Sequence, residues 1–514
     1  MGTWFLILLA AAIVALLKPF INLNSPSKKP PKTLPPGPST FPIIGNLIWL
    51  TKSFLEIEPI LRTLGSKLGP MVTLHIGPRP SIFVFDRTLA HQALVQNGSI
   101  FSDRPKALPT NEFMTCHQRN ISSGTYGPTW RLLRRNITSE ILHPSRIKSY
   151  SHARKWVLDI LLNNLKTKSK TGEPVEVLSH FRHAMFCLLV LMCFGDKLSQ
   201  QQIEEIEVIT RKILLNSDQF NILNVCPSVT KVLFRHQWRK LFQLREDREN
   251  VLLPLIRARR KAKDESRNKE TDDYVLAYVD TLLDLELPLE KRKLNEEEIV
   301  TLTSEFLNAG TDTTTTALQW IMANLVKYPK IQNKLWLEIK SVMGHNDDEE
   351  IKEDDLQKIP YLKAVILEGL RRHPPGHFVL PHRTTEDTVL GGFWVPKNGT
   401  INFMVADMGW DPKVWEDPMA FKPERFLKTD DFNVEVFDLT GNREIKMMPF
   451  GVGRRICPAL GLALLHLEYF VGNMIWKYEW KAMDGDSISL EEKQEFTVLM
   501  KKPLKAQISA RNKI

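Results

Sequence analysis

The sequence predicts a mainly α-helical protein with a minor β-sheet region, carried behind an N-terminal membrane helix. Three observations lead there. From about Thr88 to Gly344 the dominant pattern is helical periodicity, interrupted at Pro, Gly and charged clusters. Strand-like runs are short and far apart along the chain. Residues 2–17 form an apolar run without a charged side chain.

That run, with Lys18 snorkelling toward headgroups, spans a bilayer only marginally, since about 20 apolar residues are needed. Residues 1–23 are the expected anchor. Lys28, Lys29 and Lys32 follow it and hold the remainder of the chain on the cytosolic side. A cleaved signal peptide competes, but no basic residue precedes the apolar run. Residues 24–40, a basic segment containing Pro30-Pro31 and Pro35-Pro36-Gly37-Pro38, favour stiff extended backbone and form a hinge. Residues 41–514 hold no further linker and are expected to form one large domain.

Within that body, Met71–Ile76 and Ser81–Phe85 flank Gly77-Pro78-Arg79-Pro80 and predict a hairpin. Further strand signals lie at His377–Leu380, Thr388–Trp394, Thr400–Val405 and Phe496–Met500. One helix stands apart. Asn295 and Glu298 make a capping-box start, and apolar periodicity continues to about Val326, before Tyr328-Pro329. Its middle is Ala309-Gly310-Thr311-Asp312-Thr313-Thr314, a polar stretch of indifferent helix formers inside an otherwise buried helix.

The 514 residues are 43% hydrophobic and 25% charged, enough for a sizeable core and against wholesale disorder. Five cysteines, Cys116, Cys187, Cys193, Cys226 and Cys457, are too few and odd in number for a disulfide framework and fit a reducing compartment. The net charge of +10 is compatible with nucleic acid, an anionic membrane or an acidic partner. Its densest stretch, Arg257 to Lys263, is interrupted by acids and has no nucleic-acid signature beside it, which sets nucleic acid aside.

Cys457 stands out by its surroundings, Pro449-Phe450-Gly451-Val452-Gly453-Arg454-Arg455-Ile456-Cys457-Pro458. The glycines permit a tight turn and close backbone approach to a flat group. A helix beginning near Ala459 places the sulfur at a helix amino terminus, where dipole and free amides favour a thiolate. Arg455 offers a cation for a carboxylate and Phe450 an apolar plate. No Cys-x-x-Cys pair supports zinc.

Phe450, Gly453, Arg455 and Cys457 fill the pattern Phe-x-x-Gly-x-Arg-x-Cys, and the segment resembles the haem-binding loop of the cytochromes P-450. Ala459 departs from it, standing where the family usually has Gly. Four other motifs follow in family order between Pro35 and about Lys502. Glu368-Gly-Leu-Arg371 and Phe421-Lys-Pro-Glu-Arg425-Phe resemble the family's buried Glu-Arg-Arg network. Trp130 and Arg134, four apart on one helix face, match the Trp-x-x-x-Arg that bonds a haem propionate. His382, in Pro381-His382-Arg383, takes the place of another propionate contact, with Arg383 in reserve. Asp312-Thr313 matches the acid–alcohol pair of the central helix, where a Thr hydroxyl can bond the carbonyl four residues back. Gly310 is expected to leave room for dioxygen. The Pro-rich hinge, Phe101-Ser-Asp-Arg-Pro105 and Trp415-Glu-Asp-Pro418 resemble plant microsomal A-type members, family 89 in particular.

The resemblance implies a P-450 fold and a haem-thiolate monooxygenase. Its cofactor would be haem b (iron protoporphyrin IX), bound by Cys457 with Phe450, Arg455, Trp130, Arg134 and His382. Asp312 and Thr313 would relay protons. NADPH would act indirectly, through a membrane-bound NADPH–cytochrome P-450 reductase docking near Arg131, Arg135 and Arg454. The chain would sit in the endoplasmic reticulum membrane by a single pass and serve plant secondary metabolism. Its substrate would be a small-to-medium lipophilic metabolite, lined by Lys106–Thr125, Ser217–Lys240, Phe306, Ala309, His377–Val379 and Phe496. Two other readings remain at this level: a haem-thiolate isomerase or dehydratase that needs neither dioxygen nor reductase, and a non-enzymatic haem sensor.

Overall fold

A computed structural model describes residues 33–38, 49, 54–76, 79–216, 218–267, 275–344, 349–427, 437–483 and 487–511. The anchor expected at residues 1–23, most of the hinge, and the Gly77-Pro78 turn lie outside the described residues. The helices used below are α1 (Phe54–Leu68), α2 (Pro128–Glu140), α3 (Ser151–Thr171), α4 (Val177–Phe194), α5 (Gln200–Leu215), α6 (Pro227–Leu233), α7 (Arg235–Arg267), α8 (Glu296–Lys327), α9 (Pro329–Met343), α10 (Pro360–Arg372) and α11 (Leu460–Lys477).

Helix α8 is the axis of the molecule. Asn295 accepts from the Glu298 amide at 2.9 Å while the Glu298 carboxylate accepts from the Asn295 amide at 2.9 Å. Glu296, Glu297 and Glu298 in the first turn complement the helix dipole, and Pro329 begins the next helix. At 32 residues the helix is about 48 Å long. Helix α4 lies against it so closely that a Cβ on Gly310 would come within 2.7 Å of a Leu189 methyl. Gly310 is therefore a packing glycine for the α4–α8 crossing, and the Cβ it lacks points at Leu189. Both Gly310 and Leu189 also line the cavity described below. Helix α4 is, among the described residues, the one long and apolar enough to cross a membrane, but 78% of it is buried inside the protein. It is a core helix.

Strands β1 (Met71–Ile76) and β2 (Arg79–Val84) pair antiparallel, as the hairpin pattern predicts. With β7 (Thr400–Phe403) and β4 (His382–Arg383) they form a sheet of order β1-β2-β7-β4, in which β2 and β7 run parallel. The signal at His377–Leu380 resolves to a single bridge, Phe378 to Met404, with the ladder beginning at His382. β5 (Thr388–Leu390) and β6 (Phe393–Val395) make one small hairpin, β9 (Glu492–Gln494) and β10 (Val498–Met500) another. A three-stranded sheet, β3 (Val175–Glu176), β11 (Lys505–Ala510) and β8 (Tyr478–Ala482), joins distant segments that local pattern left unmarked.

The Glu368 carboxylate, fully buried on α10, accepts two bonds from Arg371 at 2.7 and 2.8 Å, one from Arg425 at 3.2 Å, and one from the Lys422 amide at 2.8 Å. Arg371 also donates to the carbonyls of Gly409, Pro418 and Ala420. A buried charge cluster so completely hydrogen-bonded tolerates no deletion of one partner. It ties α10 to the segment leading toward Cys457.

Candidate active site

A cavity of about 360 Å³ lies between the middle of α8 and the loop that precedes α11. Phe450, Val452, Leu462, Leu302, Phe306, Ala309, Ala317, Phe378 and Val379 make most of its wall apolar. Ala309, exposed, and Thr313, half-buried, lie mid-helix in a core helix and open onto it.

The loop turns at Gly451 (φ +67°) and Gly453 (φ +71°), left-handed conformations that favour glycine. Gly453 also brings its backbone against the Leu94 carbonyl, 2.1 Å from where a Cβ would stand. The close approach predicted for these glycines is thus, at Gly453, to another backbone. The turn folds back so that the Cys457 amide donates to the Phe450 carbonyl at 2.8 Å. Cys457 reaches the cavity just ahead of α11. Ala459 has φ −96° and ψ 20°, a conformation open to any residue, and its amide bonds the sulfur. The usual glycine is dispensable there. Burial nonetheless pushes the Cys457 thiol up, against the Ala459 amide and Arg134. The helix amino terminus alone does not lower this pKa, as the sequence suggested; desolvation outweighs it. No other His, Cys, Asp or Glu cluster suited to a metal occurs among the described residues. A metal held by Cys457 must bring its remaining donors with it, as the iron of a tetrapyrrole does.

The cavity's polar edge fits such a group. Trp130, Arg134, His382, Arg455 and also Arg104 line it. Arg134 donates to the Ile456 carbonyl at 2.6 Å, next to Cys457. Arg455 lies over the Trp130 ring at 4.1 Å and donates to the carbonyls of Ser102, Ile121 and Gly124. Arg104 donates to the carbonyls of Ser122, Leu380 and Pro381. Burial and mutual repulsion pull Arg104 down to about 9, and burial, offset by Asp103 and aggravated by Arg134, pulls Arg455 down to about 10. Crowded guanidiniums that bond only carbonyls call for anions, and two propionates would meet that need. His382 donates its Nδ1–H to the Phe101 carbonyl at 2.7 Å, and burial holds it neutral, down to about 3. Arg383 turns away and pairs with Asp103, Nε at 3.1 Å, so of the two residues His382 faces the cavity.

Thr313 donates its hydroxyl to the Ala309 carbonyl at 2.7 Å, as its spacing predicts. Asp312 does not line the cavity. It points to the back of α8, 3.5 Å from Arg182 of α4 and 3.9 Å from Arg211 of α5, and burial raises its carboxyl against these cations. Arg211 in turn lies 3.8 Å from Glu495. The pair thus places the alcohol in the cavity and the acid behind it, linked to the surface by ion pairs.

Of the expected substrate-facing segments, Ile121, Ser122, Phe306, Ala309, Phe378 and Val379 line the cavity. Among the described residues, His377, Phe496 and the 218–240 stretch do not. His377 is held by Glu58 at 2.6 Å, and Phe496 is half-exposed on the outer surface. Pattern reasoning missed Arg104 and Glu305. Arg104 sits inside a quoted motif but was given no role. Glu305 is an ionisable residue inside a buried helical run, one turn before Ala309, which is itself a signal.

The Cytochrome P450 family model matches residues 35–510. Cytochrome P450 89A9 of Arabidopsis thaliana is 55% identical over 93% of this chain and 94% of its own length. An isoflavone 3'-hydroxylase of Medicago truncatula is 29% identical over 98% and 97% of the two chains. A zebra fish cytochrome P450 solved with abiraterone superposes with a TM-score of 0.70 at 22% identity, covering 89% of this chain and 100% of its own. Matches spanning the whole described body, together with a cysteine facing a cation-edged cavity beneath α8, settle the assignment: the chain belongs to the cytochrome P450 family and is a haem monooxygenase.

Proposed function

We propose that this enzyme inserts one oxygen atom from O2 into a small-to-medium lipophilic metabolite, with Cys457 as the protein's one ligand to haem iron. The observation that carries this reading is that Cys457 and the Thr313 hydroxyl share one apolar cavity whose far edge is a cluster of buried guanidiniums. Haem, when bound, supplies the iron centre at which dioxygen is activated. Arg104, Trp130, Arg134, His382 and Arg455 hold its propionates, and Phe450 packs beside Cys457. Thr313 orders water in the cavity. Asp312 delivers protons to it from the surface by exchanging its ion pairs with Arg182 and Arg211. Apolar walls exclude bulk water and select lipophilic ligands. Relatives named as hydroxylases of isoflavone and 5-epiaristolochene, at 28–29% identity, support that substrate class.

Electrons come from NADPH through a membrane-bound reductase that meets the exposed Arg131, Arg135 and Arg454. Residues 1–23 anchor the chain in the endoplasmic reticulum membrane, 24–40 form the hinge and 41–514 the catalytic body. Support for a membrane-facing body comes from α6 and its surroundings. Val225, Val229, Val232 and Leu233 are exposed there, the last two at 73% and 70%, beside exposed Lys231, Arg235, Arg239 and Lys240. The isomerase reading is disfavoured by the Thr313 hydroxyl placed in the cavity with a carboxylate behind it.

The test is incubation of membranes holding the enzyme and a NADPH–cytochrome P-450 reductase with NADPH, labelled dioxygen and a panel of lipophilic metabolites. One labelled oxygen per product, dependent on NADPH, is expected. Turnover that continues without NADPH or reductase and carries no label would overturn the proposal in favour of an isomerase.

A further inference from the structure

The cavity contains a charge that the proposed chemistry does not use. Glu305 projects from α8 one turn before Ala309 and lines the same cavity. Among the described residues it makes no ion pair. Instead its carboxylate accepts from the Ser122 amide at 2.7 Å, the Ile121 amide at 2.9 Å and the Asn120 side chain at 3.1 Å. Burial pushes the carboxyl up and these donors pull it back. A buried carboxylate satisfied by backbone amides is costly to build and fixes those amides in place.

The peptide unit joining Ile121 and Ser122 is held at both ends. Its N–H, on Ser122, donates to Glu305. Its C=O, on Ile121, accepts from Trp130 Nε1 at 3.0 Å and from Arg455 at 3.3 Å. The neighbouring carbonyls of Ser122 and Gly124 accept from Arg104 at 2.8 Å and Arg455 at 2.7 Å. One short loop therefore turns its amides toward an anion on α8 and its carbonyls toward the cations at the cavity edge. An amide bonded at both ends is polarised, and each bond strengthens the other.

The loop is strained on its approach. Cys116, His117 and Gln118 are three consecutive non-glycine residues with φ of 46°, 57° and 62°, a left-handed turn that L side chains disfavour. It is pinned to α8 at two further places: Cys116 Sγ lies 3.2 Å from Thr301 Oγ1, and Arg119 3.2 Å from Glu298. Thr301, Glu305, Ala309 and Thr313 succeed one another at four-residue spacing on one face of the helix.

We propose that Glu305 is a positioning residue which, through the Ile121–Ser122 peptide, holds Trp130 and Arg455, and through the adjoining Ser122 carbonyl Arg104, in register with the face of α8 that carries Thr313. It couples the roof of the cavity to its cationic edge. The inference rests on the reading of that edge as the propionate site.

The experiment uses the full-length ferric holoenzyme and two readouts, amide hydrogen exchange across residues 119–124 and the haem reduction potential. In Glu305→Gln one carbonyl oxygen replaces two, and a side-chain N–H faces a backbone N–H. Exchange at Ile121 and Ser122 is expected to rise about tenfold, as for loss of one charge-assisted bond. The reduction potential is expected to shift upward with loss of the negative charge. Glu305→Asp keeps the charge with shorter reach and is expected to rescue the potential and to leave exchange between wild type and Gln. Thr301→Val removes only the neighbouring clip and is expected to leave both readouts at Ile121 and Ser122 unchanged. Wild-type exchange in Glu305→Gln, with altered affinity for amine-bearing ligands alone, would overturn the proposal and make Glu305 a substrate-contact residue. Should Glu305→Gln not accumulate, wild-type exchange at Ile121 and Ser122 in Glu305→Asp would overturn it equally. A thiolate-type spectrum of the carbon-monoxide complex in each protein distinguishes failure of this coupling from failure of the haem reading.

Discussion

Thr313 and Asp312 are adjacent in sequence and face different surroundings. The hydroxyl opens onto the cavity while bonded to the Ala309 carbonyl, and the carboxylate sits among Arg182, Arg211 and, beyond them, Glu495. If protons reach the cavity by this route, Thr313→Ala should leave substrate binding intact and lower product formed per NADPH consumed. General acid–base assistance commonly contributes about 10²–10⁴-fold to rate, so a several-fold loss of coupling is a conservative expectation. Unchanged coupling would remove Thr313 from the relay. Two buried histidines at the cavity give a second residue-scale prediction. Burial brings both His382 and His466 down to about 3. Between the ordinary value of 6.5 and about 3 the unfolded chain therefore binds protons that the fold does not. Stability must fall as pH drops through that window, by about 1.4 kcal/mol per pH unit for each such proton. Glu468, raised to about 7 by burial, acts the other way between 7 and its ordinary 4.5. His466→Gln removes one proton from the uptake. The slope of unfolding free energy against pH near pH 5 should become shallower by about one proton. An unchanged slope would mean that His466 already carries a proton in the fold.

At the scale of elements, the α4–α8 crossing and the Cys457 loop position the chemistry. Gly310 permits the crossing because Leu189 occupies the space a methyl would take. In an isolated helix Gly→Ala gains about 1 kcal/mol. Here Gly310→Ala should destabilise instead, since overpacking a close contact costs about 1–3 kcal/mol. In a Leu189→Ala background the sign should reverse, as read from denaturant midpoints in a double-mutant cycle. Additivity of the two changes would mean that the crossing does not depend on this contact. Elements with local signatures were legible from sequence. The α8 capping box, the β1–β2 hairpin and the Glu368 cluster all rest on residues close together in the chain or on a specific motif. The sheet of β3, β11 and β8 was not legible, because β3 pairs with β11 across more than 300 residues and the β9–β10 hairpin intervenes between β8 and β11. Neither was the outward face of the 218–240 segment, whose apolar residues resemble pocket lining until their burial is known.

Across the whole molecule, the site is where distant segments converge: the 101–134 region, the middle of α8, the turn at 375–382 and the loop ahead of α11. Sequence motifs named most of its members, because each motif residue binds a fixed group and so leaves a spacing. Arg104 and Glu305 escaped because their partners are backbone carbonyls and amides, which leave no mark in the sequence. The helix-terminus argument for Cys457 was right about the sulfur's place and wrong about the balance, since burial raises the thiol. The central claim, Cys457 as the thiolate ligand, is open to one direct measurement. The absorption of the reduced, carbon-monoxide-bound protein should show the red-shifted Soret band of a thiolate ligand, and Cys457→His should lose it. A histidine-type band in the wild-type protein would contradict the account.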